Sequence, residues 1–252
     1  MVESIWRKGK LFGFMLLAGI LLMAKPALAD SYYPYEIQGY DVTVKVGKDN
    51  VYHVTERLQV NFNQARHGIY RDIPVINNVS REDGSTSRIQ ARVTNIKTYG
   101  EKRTVGREGS YCRIQLGDKN KTLVGEHMYH ISYDYNMGKD VRKGEDEFYY
   151  NIIGTSWDTT IQNVTFHIMM PEDIDESKVG MAYGESGSTN NEGLQYTING
   201  KVMEGYVDSS IILNPGEAVT VRMVLPDGYY DQVKQRIWPA LISILLSLAA
   251  AG

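Results

Sequence analysis

Apolar and polar residues alternate with a period of two through most of the chain. Val42, Val44 and Val46 alternate with polar neighbours, Gly47-Lys48-Asp49-Asn50 reads as a turn, and Tyr52, Val54, Leu58, Val60 and Phe62 resume the alternation. That pattern predicts a β-hairpin. The same alternation recurs at Ile89, Ala91 and Val93, at Cys112, Ile114 and Leu116, at Tyr129, Ile131, Tyr133 and Tyr135, and at Val164, Phe166, Ile168 and Met170. Ile211-Ile212-Leu213, a turn at Asn214-Pro215-Gly216-Glu217, and Val219, Val221, Met223 and Leu225 predict a second hairpin. Gly184 to Gly193, rich in Gly and Ser, and Gly100 to Gly109, rich in charge, read as surface loops. Helical periodicity is nearly absent. Many short strands at this spacing predict an all-β fold, an antiparallel β-sandwich of immunoglobulin-like architecture.

Both ends break the pattern. Arg7, Lys8 and Lys10 precede an unbroken apolar run from Leu11 to Met23, and Ala27-Leu28-Ala29 follows. Those are the three parts of a secretory signal peptide, residues 1–29, with Asp30 as the mature terminus. From Trp238 to Gly252 there is no charged residue, and Leu, Ile and Ala dominate directly after Lys234 and Arg236. Residues 237–252 read as the start of a transmembrane helix in a chain that continues further, with Trp238 at the interface. The expected organisation is a signal peptide, an extracytoplasmic domain over residues 30–236, and a membrane anchor.

Composition narrows the class. The chain has 252 residues with 27 Lys+Arg against 30 Asp+Glu, a net charge of −3. Without residues 1–29 the balance is 23 basic against 29 acidic residues, or −6. No basic surplus of the kind that nucleic-acid binding needs is present, and bulk charge does not favour anionic polymers, though local basic patches can. Eighteen Tyr against 5 Phe suit half-buried strands, and the single Cys excludes an internal disulfide or a zinc–cysteine framework.

One stretch is distinctive. Val54-Thr55-Glu56-Arg57-Leu58-Gln59-Val60-Asn61-Phe62, running into His67-Gly68-Ile69-Tyr70-Arg71-Asp72-Ile73-Pro74, resembles the opening of a bacterial membrane protein family, domain of unknown function 2207. Gly125 to Tyr133, Asp146 to Asn151 with Gly154-Thr155-Ser156-Trp157, and Leu225-Pro226-Asp227-Gly228 agree with it. The resemblance covers most of residues 35–230. It implies a secreted β-sandwich followed by membrane helices and, in longer members, a cytoplasmic part; it implies no activity.

The candidate site residues are Glu56, His67, Arg71 and Asp72. Counting by twos from Tyr52 puts Glu56 on the face of Val54, Leu58, Val60 and Phe62, so its carboxylate points at the core side. A buried carboxylate needs a partner, and Arg71 can supply a bidentate one. The two readings are a structural ion pair and a ligand or proton-transfer site. His67, Arg71 and Asp72 are expected to form a polar patch at a loop-bearing end, or else Asp72 caps a turn and Gly68 supplies an unusual backbone angle.

Other chemistry fails on spacing. His127 and His130, three apart on a strand, face opposite ways and make a poor metal pair. Asp118-Lys119-Asn120-Lys121-Thr122 begins like a calcium loop but has Leu123 where Gly is needed, so it reads as a hairpin turn. Gly184-Glu185-Ser186-Gly187-Ser188 has no nucleophile elbow around it. Glu145-Asp146-Glu147 reads as a solvated acidic turn, and Cys112 as a packed thiol. No catalytic residue, metal or cofactor is assigned. The function expected is a membrane-tethered binding or interaction module at the bacterial cell surface. Its partner would be a cell-wall polymer or a protein; tyrosines at positions 32, 33, 35, 149, 150, 229 and 230 suit such contact if exposed, while paired aromatics in strands more often pack half-buried. The alternative is a cell-envelope enzyme such as a glycan hydrolase using Glu56 or the acids near Glu147.

Overall fold

In a computed structural model, residues 33–80, 84, 86–139 and 144–233 are described. The signal peptide and the membrane helix expected at the two ends lie outside those residues. The first hairpin forms as the alternation predicts: β1 (Tyr35–Val46) and β2 (Val51–Arg66) pair antiparallel, with Val42 opposite Glu56. The Gly47 and Asn50 amides close the turn, and Asn50 adopts a positive φ of 56°.

The chain then returns through β3 (Gly68–Pro74), β4 (Ile76–Ser80) and β5 (Thr86–Gln90). It continues through β6 (Arg92–Thr98), β7 (Arg103–Glu108), β8 (Tyr111–Gly117) and β9 (Leu123–Asn136). The last part comprises β10 (Glu145–Ile153), β11 (Val164–Met169), β12 (Val179–Gly184), β13 (Leu194–Asn199), β14 (Val202–Val207) and β15 (Ala218–Pro226). A single 3-10 turn, Glu176–Lys178, capped by the Asp175 side chain, is the helical element among the described residues. No helix among them is long and apolar enough to cross a membrane.

The strands form a seven-stranded sheet in the order β13-β14-β11-β1-β2-β9-β6, two three-stranded sheets, β10-β15-β12 and β3-β8-β7, and the β4-β5 ribbon. The fold is all-β with antiparallel ladders, but β1 and β11 run parallel, Val42 beside Phe166, a pairing that local alternation cannot reveal. Alternation sets which face is apolar; which strand lies alongside depends on contacts distant in sequence.

Side chains from the long sheet's apolar face meet both small sheets. The Tyr52 ring lies 5.1 Å from Phe148 and edge-on to Tyr150, while Arg71 reaches across from β3 to Glu56 on β2. Val42, Val44, Val54, Leu58, Val60, Ile114, Leu116, Phe166 and Val221 are buried there. On β14, Gly205 lets the Phe166 ring lie directly on the neighbouring backbone: an added Cβ would sit 2.2 Å from Cζ of that ring.

Four local expectations are corrected. Gly100 to Gly109 is not one loop, because Arg103–Glu108 forms β7, which pairs with β8. Asn214 to Glu217 does turn, but no hairpin follows: Leu213 bridges Ile161, while β15 pairs with β10 and β12. Asp118 to Lys121 also turns without making a hairpin, since β8 and β9 belong to different sheets. Finally, Glu145 to Glu147 lies on β10, where Asp146 accepts the Tyr230 amide and Glu147 accepts Arg222 Nε at 2.6 Å.

Candidate functional site

Glu56 faces the core for the reason its position implies: on β2 it shares a face with Val54, Leu58 and Val60. It is fully buried, and so is Arg71 apart from 2% of its surface. The guanidinium donates from Nε to Oε2 and from Nη2 to Oε1, each at 2.8 Å. Two tyrosines complete the carboxylate shell. Tyr40 OH donates to Oε2 at 2.8 Å, and Tyr133 OH donates to Oε1 at 2.6 Å. Tyr150 OH, 2.9 Å away, then donates to the Tyr133 oxygen, whose own proton is committed.

Register explains why these two hydroxyls arrive. Glu56 lies opposite Val42 on β1 and Ile131 on β9, so Tyr40 and Tyr133 are its diagonal neighbours on the same face. Arg71 comes from the other layer, its remaining nitrogen donating to the Asp72 carbonyl at 2.8 Å and its guanidinium 5.7 Å from the Trp157 ring. Gly154 leaves room beside Nη1, since an added Cβ would approach it at 3.7 Å. A cavity of about 20 Å³ lies against Arg71, Ile73, Tyr135 and Tyr150, room for one water and no larger ligand.

The electrostatics are those of a closed ion pair. Burial pushes the Glu56 carboxyl up, but the Arg71 charge and the hydrogen bonds from Arg71, Tyr133 and Tyr40 outweigh it and hold it below the usual carboxylate range. Burial raises the Tyr40 and Tyr133 phenols far above their ordinary values, and the adjacent carboxylate adds to that. At neutral pH the cluster is therefore one anion, one cation and neutral phenols.

His67, Arg71 and Asp72 do not form one patch. β3 alternates, burying Ile69, Arg71 and Ile73 and turning Tyr70 and Asp72 the other way. His67, exposed just before β3, donates from Nδ1 to the Lys121 carbonyl at 2.8 Å. The Asp72 carboxylate points away from Arg71 and caps no turn: it takes a bidentate pair from Arg113, Nε to Oδ1 at 2.8 Å and Nη2 to Oδ2 at 2.7 Å. Arg113 also lies 5.0 Å over the Tyr70 ring, and its Nη1 is 3.7 Å from Glu108. A surface cleft of about 550 Å³ opens beside this pair, lined by Asn77, Asn78, Glu108, Ser110 and Tyr111.

The Gly68 expectation is met, with an added reason. Gly68 (φ 133°) and Gly117 (φ 134°) face each other at the end of the β3–β8 ladder, where a Cβ on Gly68 would come within 1.8 Å of the Leu116 carbonyl oxygen. His127 and His130 do face opposite ways, His127 engaging Glu101 and His130 stacked on Tyr99. No group of three or more His, Cys, Asp or Glu is gathered for a metal among the described residues. Cys112 is half-buried, and burial, then Asp72, raises its thiol.

Sequence reasoning missed Tyr40, Tyr133, Tyr150 and Arg113. The first two carried a usable signal: both fall on apolar faces, where a hydroxyl needs a partner. Of the tyrosines with two readings, surface contact or packing, Tyr35, Tyr150, Tyr229 and Tyr230 are buried and Tyr33 and Tyr149 are half-buried, so packing holds for these six. Tyr32 lies outside the described residues.

Together these features define an all-β domain organised around a buried, tyrosine-ringed ion pair. The chain belongs to the family described as predicted membrane protein (DUF2207) N-terminal domain, whose model matches residues 36–225. That description supports association with a membrane. No curated relative matches the chain. Among solved structures, an M1 zinc metallopeptidase from Deinococcus radiodurans aligns with a TM-score of 0.39 and 9% identity, over 75% of this chain and 42% of that one. Native leukotriene A4 hydrolase from Saccharomyces cerevisiae aligns with a TM-score of 0.40 and 7% identity, over 77% of this chain and 30% of that one. The chain thus spans less than half of either enzyme, and at these scores neither likeness bears on function.

Proposed function

We propose that the domain is a membrane-tethered, extracytoplasmic β-sandwich of immunoglobulin-like architecture that serves as a binding module at the cell surface. The observation that carries this reading is the division of labour along β3. One face, through Arg71, is locked to the buried Glu56; the other presents the Asp72–Arg113 pair at an open cleft, with the exposed Tyr70 ring beside Arg113. A rigid strand anchored behind and polar in front suits recognition, because preorganised groups lose little entropy on binding. Packing of the long sheet's apolar face against smaller sheets supports the sandwich. The family's membrane description and the apolar ends of the chain support the tether.

A glycan hydrolase built on Glu56 is disfavoured by the geometry. That carboxylate is enclosed by Arg71, Tyr40 and Tyr133 and meets no solvent, and Asp146 and Glu147 are held by the Tyr230 amide and by Arg222. The test uses the full chain in neutral detergent with isolated cell-wall sacculi. Co-sedimentation that is reduced at least fivefold by Arg113→Ala, with the β circular dichroism of the folded chain retained at the assay temperature, is expected. Release of reducing ends that disappears in Glu56→Gln would replace this reading with the enzymatic one.

A further inference from the structure

The two ends of the long sheet differ in charge and in what they are tied to. β2 has 16 residues, so its termini are about 50 Å apart at about 3.3 Å per residue. At its start, the segment leaving β15 is fastened down. Lys48 donates to the Tyr229 carbonyl at 3.0 Å and lies 4.1 Å over the Tyr229 ring, and the Gln232 amide donates to the Lys48 carbonyl. The last described residues, up to Val233, therefore lie beside the β1–β2 turn.

The opposite end is basic in an otherwise acidic chain. Arg66 lies opposite Leu123, His67 bonds to Lys121, and Lys102 pairs with Asp118 at 2.7 Å, which brings Arg66, Lys102, Arg103, Lys119 and Lys121 to one place. The acids there are Glu101, engaged by His127, Asp118, and Asp158, which accepts the Tyr35 hydroxyl beside Arg66, with Glu126 on β9 and Glu36 on β1 next inward. Arg103, Lys119 and Lys121 are exposed and make no ion pair among the described residues. An open cleft of about 620 Å³ lies between Arg103 and Lys119, lined also by Thr104 and Gln115 and by the acids Glu101 and Asp118. It borders β7, an edge strand exposed along its whole length.

We propose that this end binds a linear polyanion of the cell envelope, an anionic glycan polymer carrying phosphate or uronate groups. This rests on the extracytoplasmic tether described above; the length of β2 separates the basic end by some 50 Å from Val233, which the apolar C-terminal segment follows in sequence. Anionic lipid headgroups are the competing source of the same charge, and that distance argues against them, being several times the screening length at physiological salt. Free basic side chains beside an open polar cleft suit a polymer held by charge and counterion release.

The full chain is reconstituted in phosphatidylcholine nanodiscs and titrated with poly(glycerol phosphate) and with polygalacturonate at low and physiological salt. Saturable binding to at least one polymer that weakens with salt is expected. Arg103→Glu with Lys119→Glu should weaken it at least tenfold and lower the salt slope by about one to two, with the melting temperature unchanged. The same charge reversal elsewhere, Lys45→Glu with Lys178→Glu, should leave it unaltered. Absence of binding at low salt, equal binding by the two double variants, or equally tight capture of phosphatidylglycerol vesicles would overturn the proposal. Polymer binding lost in Arg113→Ala but kept in Arg103→Glu with Lys119→Glu would also overturn it, while leaving the binding module in place with its ligand at the Asp72 cleft.

Discussion

Arg71 holds Glu56 with two parallel hydrogen bonds, each 2.8 Å, at a depth where neither side chain meets appreciable solvent. Taking two charges out of water costs several kcal/mol per ion, and only a saturated shell compensates for it. Tyr40 and Tyr133 supply the rest of that shell, so the pair joins β2 to β3 and, through the tyrosines, also to β1 and β9.

Removing one partner strands the other. Glu56→Gln is expected to destabilise the domain by about 3–5 kcal/mol because Arg71 stays charged and buried. For a domain of this size that lowers the melting temperature by about 6–20 °C. Arg71→Lys keeps the charge but loses the fork, and should cost about 1–3 kcal/mol. Replacing both by Met should cost less than Glu56→Gln alone. Thermal and denaturant unfolding of the four chains measures this, and unchanged stability in both single variants would refute a structural role.

Acid should weaken the domain through the same carboxylate. Its folded pKa lies below its ordinary value of 4.5, since the Arg71 charge and the surrounding hydrogen bonds outweigh burial. The stability that Glu56 contributes is then complete above about pH 4.5 and is lost as pH falls toward the depressed folded value. Denaturant midpoints measured from about pH 7 to about pH 3 should fall more steeply for the natural chain than for Glu56→Gln.

The alkaline limb has the opposite sign. Burial raises the Tyr40, Tyr133 and Tyr150 phenols above their ordinary 10.0, so the unfolded chain loses these protons first. Their contribution is complete below about pH 10 and is lost as pH rises beyond it. Tyrosinate absorbance from the buried group should appear together with loss of the β circular dichroism, in one cooperative step. Ionisation of these residues well before unfolding would contradict their burial.

Gly68→Ala should destabilise by at least about 2 kcal/mol, combining the cost of a positive φ with a contact that the backbone cannot relieve. The added Cβ would meet the Leu116 carbonyl oxygen at 1.8 Å. Gly109→Ala, also at positive φ but with nothing within 4 Å, should cost less. The difference in their melting temperatures measures the backbone approach between β3 and β8 together with the wider φ of Gly68.

Much of the fold was legible because its cause is local. Val42 to Phe62 alternates, turns and alternates again, and β1 and β2 follow. The inward aim of Glu56 needed only the period of two, and Arg71 followed from the rule that a buried carboxylate requires a cation. For Asp72 the local sequence offers a patch with His67 and Arg71 or a turn cap, and neither holds, because Arg113, 41 positions away, pairs with it only once β3 and β8 are in register. The acids at Glu145 to Glu147 misled similarly: beside one another in sequence they read as solvated, yet β10 carries them to Tyr230 and Arg222.

The amino-acid sequence by itself determined the all-β character, the buried face of β2, the special backbone at Gly68 and the segregation of apolar segments at both ends. These depend on side-chain periodicity and local backbone sterics. Tertiary structure alone decided that β1 runs parallel to β11, that Tyr40, Tyr133 and Tyr150 surround the ion pair, and that five basic side chains collect at one end of an acidic domain. Those relationships depend on which distant strands lie side by side, and a period of two says which way a residue faces without saying what it faces.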